Sequence, residues 1–184
     1  MTLIVAVSDS TGTWLASDSR VSGDDIHMGS IKKLIRYSND LYVGFAGDIR
    51  NLNLLTHAFK PPKMPKTLDP EKYLVTKFIP SLKKVLDLHG RMKSSGGEES
   101  DTESWNGELI IVIGSSIFRL MRDFAIVKMD GHAALGQAED FANALIILGK
   151  TVKMEGEELC KMVIAQSSKV FILCDNSIQI IKVR

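Results

Sequence analysis

The chain has 184 residues, of which 45% are hydrophobic and 24% are charged, and its formal net charge at pH 7 is +1. These values are typical of one soluble globular domain, here residues 1–184, and the balanced charge argues against nucleic acid or an anionic membrane as a partner. No apolar stretch approaches the ~20 residues needed to span a bilayer. The apolar run that follows Met1 is too short for a signal peptide and no basic residues precede it, which predicts a cytoplasmic protein.

The first 46 residues carry the signals of four strands in two antiparallel pairs. Leu3–Val7 and Thr13–Asp18 form the first pair, and Ile31–Tyr37 and Leu41–Ala46 form the second. The runs are short, apolar and rich in β-branched residues, and polar turn residues separate the two members of each pair. An antiparallel sheet that starts at the beginning of the chain is therefore predicted.

Two helical segments follow these strands. Ile49–Phe59 has apolar residues along one face and Asp48 in position to cap its first turn. The second segment runs from Asp69 to Leu88, with a kink expected at Pro80 because proline lacks the backbone N–H that an inner helical turn requires.

The second half of the chain repeats this order of strands and then helices. The expected elements are a surface loop at Lys93–Asn106, strands at Leu109–Ile113, Ile117–Met121 and Ala133–Leu135, helices at Gln137–Leu148 and Glu155–Gln166, and a last hairpin of Val170–Cys174 with Ile178–Val183. Grouped strands and helices in this order predict an α+β fold. Two antiparallel sheets stacked face to face, with helices outside each, give a four-layer αββα sandwich.

Metal and cofactor chemistry has no support in the sequence. The four histidines, His27, His57, His89 and His132, show no paired spacing with one another or with the cysteines, so neither a metal site nor a cofactor is expected. Cys160 and Cys174 lie in apolar segments, where they are expected to pack as small core residues. The basic loop Lys60–Lys66 has no interleaved aromatic residues, and nucleic-acid binding is not expected.

Four short segments, in order and at nearly the same spacing, resemble the opening of proteasome β subunits, and in particular the bacterial HslV peptidase and its relatives. They are Thr2–Val7, Leu15–Arg20, Gly29–Leu34 and Val43–Gly47. The resemblance is dense over about the first quarter of the chain and returns weakly from Glu108 onward. It implies the N-terminal-nucleophile (Ntn) hydrolase fold, an αββα sandwich, which agrees with the order of strands and helices.

The resemblance also implies a threonine-type endopeptidase with Thr2 as its nucleophile after removal of Met1. A hydroxyl needs a nearby base, and the free α-amino group of Thr2, with an ordinary pKa of about 7.7–8.0, would supply it. Nucleophile and base then belong to the same residue, which is a known variant of catalytic triads.

Three further residues match catalytic positions of the family. Lys33 matches its catalytic lysine, with the adjacent Lys32 as a rival for that role, and Asp18 matches the aspartate that pairs with the lysine. Gly47 matches the residue whose backbone N–H binds the oxyanion of the tetrahedral intermediate.

Two accessory positions differ from the family pattern. Gln137 stands where relatives carry a serine between glycines, and it could donate and accept hydrogen bonds there. Relatives often carry an aspartate before the strand expected at Val170–Cys174. Here Ser168 is a partial substitute, and Lys169 would reverse the charge if it pointed inward.

The resemblance implies rings of six or seven identical subunits stacked in pairs, unfolded proteins or peptides as substrates, and an ATPase unfoldase as a further partner. The alternative is a catalytically inactive subunit of the same fold that serves as a scaffold or interaction protein. A third hypothesis is the hydrolysis of small amides by the same nucleophile.

Overall fold

The computed structural model describes residues 2–23, 26–94, 103–171 and 174–183. The strands, in chain order, are β1 (Leu3–Asp9), β2 (Gly12–Asp18), β3 (Arg20–Gly23), β4 (Ile26–Ser30), β5 (Leu34–Arg36), β6 (Leu41–Gly47), β7 (Met92–Ser94), β8 (Glu103–Trp105), β9 (Gly107–Ile113), β10 (Ser116–Leu120), β11 (Ile126–Met129), β12 (His132–Gly136) and β13 (Ile178–Val183). The helices are α1 (Ile49–His57), α2 (Pro70–Tyr73), α3 (Ile79–Leu88), α4 (Glu139–Thr151) and α5 (Gly156–Val170).

Two antiparallel sheets form the centre of the molecule. The first sheet has the strand order β12-β1-β2-β13, and the second has the order β11-β10-β9-β6-β5. The first sheet therefore joins the two ends of the described chain, since β1 and β13 both pair with β2. Two small hairpins, β3–β4 and β7–β8, lie outside these sheets.

Alternating side chains divide each central strand between two cores. In β1, Leu3, Val5 and Val7 pack with helices α4 and α5, whereas Ile4 and Ala6 pack between the sheets. This division follows from the two-residue period of a strand, because a strand buried on both faces needs apolar residues at every position. Burial on both faces therefore explains why the central strands are near-continuous apolar runs in the sequence.

Three hydrophobic cores thus separate four layers. One core lies between the sheets, one lies between the first sheet and helices α4 and α5, and one lies between the second sheet and helices α1 to α3. The predicted α+β fold, a four-layer αββα sandwich, is confirmed. Cys160 and Cys174 are both buried free thiols in the core beside α4 and α5, as expected.

Gly44 sets how closely the two sheets approach. A side chain at this position on β6 would overlap the Cγ2 atom of Ile4 on the facing β1. Because glycine has no Cβ, the Ile4 side chain lies directly against the backbone of Gly44, and β1 and β6 pack closely there. The start of β1 is thereby brought close to the second sheet.

The helical segment around Pro80 is irregular just before that proline. The chain runs through α2, then a π-helical turn at Leu74–Phe78, and then α3. A π-helical turn is wider than an α-helical one, and it directly precedes the proline that cannot donate a backbone hydrogen bond. The irregularity therefore lies one turn earlier than expected.

Two other predictions from the sequence were wrong in the described residues. The segment Val170–Cys174 is not a strand: α5 continues to Val170, and neither Phe171 nor Cys174 lies in a strand, while residues 172–173 fall outside the described part. The segment Lys93–Asn106 is not entirely a loop, because β7 and β8 pair across it; its residues 95–102 also fall outside the described part.

Candidate active site

A buried ion pair forms the centre of the candidate site. The Lys33 ammonium nitrogen lies 2.9 Å from Oδ1 and 3.0 Å from Oδ2 of Asp18, and the two side chains are 3% and 0% exposed. Asp18 also accepts backbone hydrogen bonds from Leu3 at 2.7 Å and from Arg20 at 3.2 Å. Lys32, the rival for the lysine role, is exposed to solvent. The structure therefore pairs Asp18 with Lys33.

The burial of this pair changes the pKa of both groups. Burial lowers the pKa of Lys33 from its ordinary 10.5, and the charge and hydrogen bonds of Asp18 oppose this shift. Burial likewise raises the pKa of Asp18, against the charge of Lys33 and the N–H of Leu3. Each partner keeps the other charged. The Lys33 ammonium is thus a fixed cation whose proton is less tightly held than that of a surface lysine.

Thr2 is held through the peptide group that joins it to Leu3, because both polar atoms of that group are hydrogen-bonded. Its carbonyl oxygen accepts a hydrogen bond of 3.1 Å from the N–H of Gln137, and the next N–H, of Leu3, donates to Asp18. Gly136 lies directly beneath, with φ of +116°, and a Cβ on it would overlap the Thr2 carbonyl. Glycine is needed there both for the positive φ and for the close approach.

Thr2 and Gly47 together border two clefts. The smaller cleft, of about 200 Å³, is also lined by Lys33, with Phe45 and Leu52 among its apolar walls. The larger cleft, of about 450 Å³, is also lined by Gln137 and by a group of charged residues: Glu108, Arg119, Arg122 and Glu139. A chain molecule lying across Thr2 could occupy both clefts.

The conformation of Gly47 explains why no other residue fits at the end of β6. Its φ is +152°, and a Cβ would lie 2.6 Å from the carbonyl oxygen of Asn106 and 2.7 Å from the Cα of Gly107. The next residue, Asp48, caps α1 through the N–H of Arg50 at 2.8 Å. The Gly47 backbone is therefore held between β9 and the first turn of α1, beside Thr2.

The two accessory residues have different places. Gln137 is at the site, but its backbone N–H makes the contact with Thr2, and its side chain is exposed along the larger cleft. Ser168 lies in α5, where its hydroxyl donates to the carbonyl of Ala165 at 2.9 Å. This stretch is helical rather than the approach to a strand, and Lys169 is exposed to solvent.

Asp175 is an acidic residue close to the buried ion pair. Its carboxylate accepts a hydrogen bond of 3.1 Å from the N–H of Ser19 and one of 3.4 Å from the Ser19 hydroxyl. Its negative charge acts on both Asp18 and Lys33. Asp175 lies between the two strands of the last predicted hairpin, and its acidic side chain was the signal that could have identified it.

The charged group in the larger cleft was also missed. Arg119 on β10 donates to Glu108 at 2.8 and 3.1 Å and to Glu139 at 3.2 Å, and Arg122 pairs with the other oxygen of Glu108 at 3.3 Å. Burial lowers the pKa of Arg119, but the hydrogen bonds and charges of the two glutamates more than offset this and raise it. No periodic pattern connects these residues in the sequence.

Within residues 2–23, 26–94, 103–171 and 174–183, no group of three or more His, Cys, Asp or Glu side chains is placed to hold a metal ion. No helix in these ranges has the length and apolar character that a bilayer span requires.

Comparisons with known proteins were informative only for structure. No protein-family model matches the chain, and no curated protein sequence matches it. The BPH protein of Thiobacillus denitrificans in complex with epoxomicin superimposes with a TM-score of 0.79 at 15% identity, over 99% of both chains. A second structure of the same BPH protein gives 0.79 at 16% identity, over 99% of this chain and 98% of that one. The HslV protein of Trypanosoma brucei gives 0.65 at 17% identity, over 97% of both chains. This chain therefore has the fold of the BPH and HslV structures over nearly its entire length.

Proposed function

We propose that this chain is a threonine endopeptidase subunit of an HslV-like ring, in which Thr2 cleaves peptide bonds once the residue before it is removed. One observation carries the proposal. The buried Asp18–Lys33 ion pair borders the same cleft as Thr2 and Gly47. A buried cation beside a hydroxyl and a fixed backbone amide is the arrangement that an N-terminal threonine nucleophile requires.

In the proposed reaction, the Thr2 hydroxyl oxygen attacks the carbonyl carbon of the scissile peptide bond. The α-amino group of Thr2 takes the hydroxyl proton and passes it to the departing amine nitrogen as the C–N bond breaks. The product is an ester between Thr2 and the substrate's acyl group. A water molecule then attacks this ester, the Thr2 oxygen regains a proton, and the carboxylic acid is released.

Lys33, Asp18 and Gly47 assist this sequence. The Lys33 charge favours the alkoxide form of Thr2 and lowers the proton affinity of the α-amine, so that the amine is neutral and able to act as a base. Asp18 keeps Lys33 protonated despite its burial. The Gly47 N–H stabilises the oxyanion, a contact typically worth about 3 kcal/mol in the transition state.

The two clefts on either side of Thr2 support a polypeptide substrate, since a chain crossing the nucleophile can extend into both. The likeness to HslV supports the wider proposal of stacked rings of identical subunits, with unfolded proteins as substrates and an ATPase unfoldase as partner. Heterologous contacts close such rings. Sedimentation of the purified protein tests ring formation, because one subunit has a mass of only 20.3 kDa.

The test of the nucleophile uses epoxomicin, the compound bound to the Thiobacillus BPH protein. Intact mass is measured before and after incubation of the purified chain with this compound. We expect Thr2 to be the first residue and a single adduct to form. Thr2→Ala should abolish the adduct, whereas Thr2→Ser should retain it, because serine keeps both the hydroxyl and the α-amine.

Substrate assays distinguish the remaining hypotheses. Cleavage of unfolded casein that is lost in Thr2→Ala supports the endopeptidase, whereas turnover of small amides without casein cleavage supports the amidase. A chain that retains the residue before Thr2, or that exposes Thr2 but takes no label, would instead be the inactive scaffold subunit.

A further inference from the structure

Arg119 connects the two sheets at the edge of the larger cleft. It lies on β10 of the second sheet, and its guanidinium group contacts Glu108 on β9 of the same sheet and Glu139 in the first turn of α4. Its side chain is 23% exposed. Since α4 packs on the first sheet, the Arg119–Glu139 contact spans the space between the two sheets.

From Glu139 the contacts lead back to Thr2. The Glu139 carboxylate accepts a hydrogen bond of 3.3 Å from the N–H of Gly136, and the next N–H, of Gln137, donates to the Thr2 carbonyl at 3.1 Å. Arg119, Glu139 and the Gly136–Gln137 turn are therefore consecutive links that end at the backbone of Thr2. The α-amine and the hydroxyl of Thr2 are both attached to that fixed backbone.

The position of Glu139 depends on Arg119. Glu108 and Glu139 contact the same guanidinium group, so the loss of its charge leaves two carboxylates facing each other across a partly buried space. Two carboxylates that both lie within hydrogen-bonding distance of one guanidinium group are close enough to repel each other. Glu139 is 31% exposed and can relieve the repulsion by turning to solvent, which would remove the acceptor of the Gly136 N–H.

We propose that Arg119 is a positioning residue for the nucleophile, which holds Thr2 in place through Glu139 and the Gly136–Gln137 turn. The catalytic consequence rests on the proposed function. Nucleophiles are sensitive to small displacements, and an error of about 1 Å in a catalytic group can lower the rate by as much as ~100-fold. Arg119 touches none of the reacting atoms, but it lines the larger cleft. A positioning role predicts a lower rate of the chemical step, whereas a direct contact with substrate would change KM.

The first arm of the test measures the geometry directly, without reference to activity. Hydrogen exchange of the Gln137 amide is followed by NMR in the wild-type chain, in Arg119→Gln and in the matched control Arg122→Gln. Arg122 contacts Glu108 but not Glu139. We expect exchange to accelerate by about tenfold or more in Arg119→Gln and by less than about twofold in Arg122→Gln. Equal exchange in all three proteins overturns the proposal.

The second arm measures peptide cleavage. We expect Arg119→Gln to lower kcat about tenfold with KM within about twofold, and Arg119→Lys to restore part of the rate because it keeps the charge but not the bidentate geometry. An unchanged kcat, or a loss seen only in KM, overturns the proposal. If Arg119→Gln does not fold, Glu139→Ala carries both arms with the same expectations, because it removes the acceptor of the Gly136 N–H. If the wild type cleaves nothing, the proposed function fails, and the exchange arm still decides the positioning role.

Discussion

Replacing Asp18 with asparagine removes one charge from a pair that is almost completely buried. Asparagine has nearly the same shape and keeps an oxygen that can accept the Leu3 N–H, so the main loss is the counter-ion of Lys33. Breaking a buried ion pair by removing one partner typically costs about 3–5 kcal/mol, since the remaining charge is uncompensated. We expect Asp18→Asn to lower the free energy of unfolding by an amount in this range at pH 7.

The upper end of that range can be worked out from the lysine itself. Instead of remaining charged, Lys33 can release its proton, which from its ordinary pKa of 10.5 costs about 5 kcal/mol at pH 7, at about 1.36 kcal/mol for each pH unit. At pH 9 the same release costs about 2 kcal/mol. A lysine that is neutral when folded binds fewer protons than the unfolded chain, so the variant gains stability as pH rises towards 10.5. In the wild type the charge and hydrogen bonds of Asp18 oppose this lowering of the Lys33 pKa, so the wild type gains less stability over the same interval.

Urea unfolding at pH 7 and pH 9, at one protein concentration, measures the loss of unfolding free energy in Asp18→Asn and its change with pH. The buried Trp105 supplies the fluorescence signal. The destabilisation should be smaller at pH 9, and the double variant Asp18→Asn/Lys33→Met should recover most of the loss, because it leaves no buried charge. A cost below about 1 kcal/mol at pH 7, or the same cost at both pH values, would refute the reasoning.

Two further predictions concern the first sheet. Gly136→Ala should destabilise the fold by about 2–3 kcal/mol in urea unfolding and abolish the labelling of Thr2 by epoxomicin, because its Cβ would overlap the Thr2 carbonyl at a strained φ of +116°. Gly131→Ala, whose φ is +67° but whose Cβ would meet nothing closer than 3.6 Å, should retain the labelling; loss in both variants would contradict this account. Burial, and then the charge of Lys150, lower the pKa of His132 below its ordinary 6.5. Below pH 6.5 the unfolded chain therefore binds more protons at His132 than the folded chain does. The stability that the neutral imidazole contributes should be lost as pH falls below 6.5. Thermal unfolding of His132→Gln across that interval should show a weaker pH dependence than the wild type, and an identical dependence would refute the assignment.

The sequence was sufficient for the layered fold because its signals were local. The apolar runs at Leu3–Val7 and Leu109–Ile113 have the length and composition of strands buried on both faces, and the structure confirms both. The capping role of Asp48 was equally local and is also observed. Where two local signals competed, at Val170, the helix extended as far as that residue, and the neighbouring Phe171 and Cys174 lie in neither a helix nor a strand.

The parts of the site that the sequence did not predict depend on residues far apart in the chain. Asp18 and Lys33 could be paired by resemblance, and burial then distinguished Lys33 from Lys32. Asp175 reaches Ser19 across 156 positions, and this contact exists only because β13 pairs with β2. Arg119 and Glu139 meet across two different layers. Such contacts depend on the order in which strands and helices pack, and the periodicity of a single sequence does not contain that information.

The order of strands in the first sheet has a consequence for how the protein is made. Ribosomes release a chain from its beginning, yet β1 must wait for β12 at residues 132–136, and β2 must wait for β13 at residues 178–183. Contacts between such distant segments form late and slowly. The turn that anchors Thr2 emerges about 130 residues after Thr2 itself. A nascent chain therefore carries Thr2 from the start without the backbone contacts that fix it, and the proposed cleavage activity would have to wait until nearly the whole chain has been made.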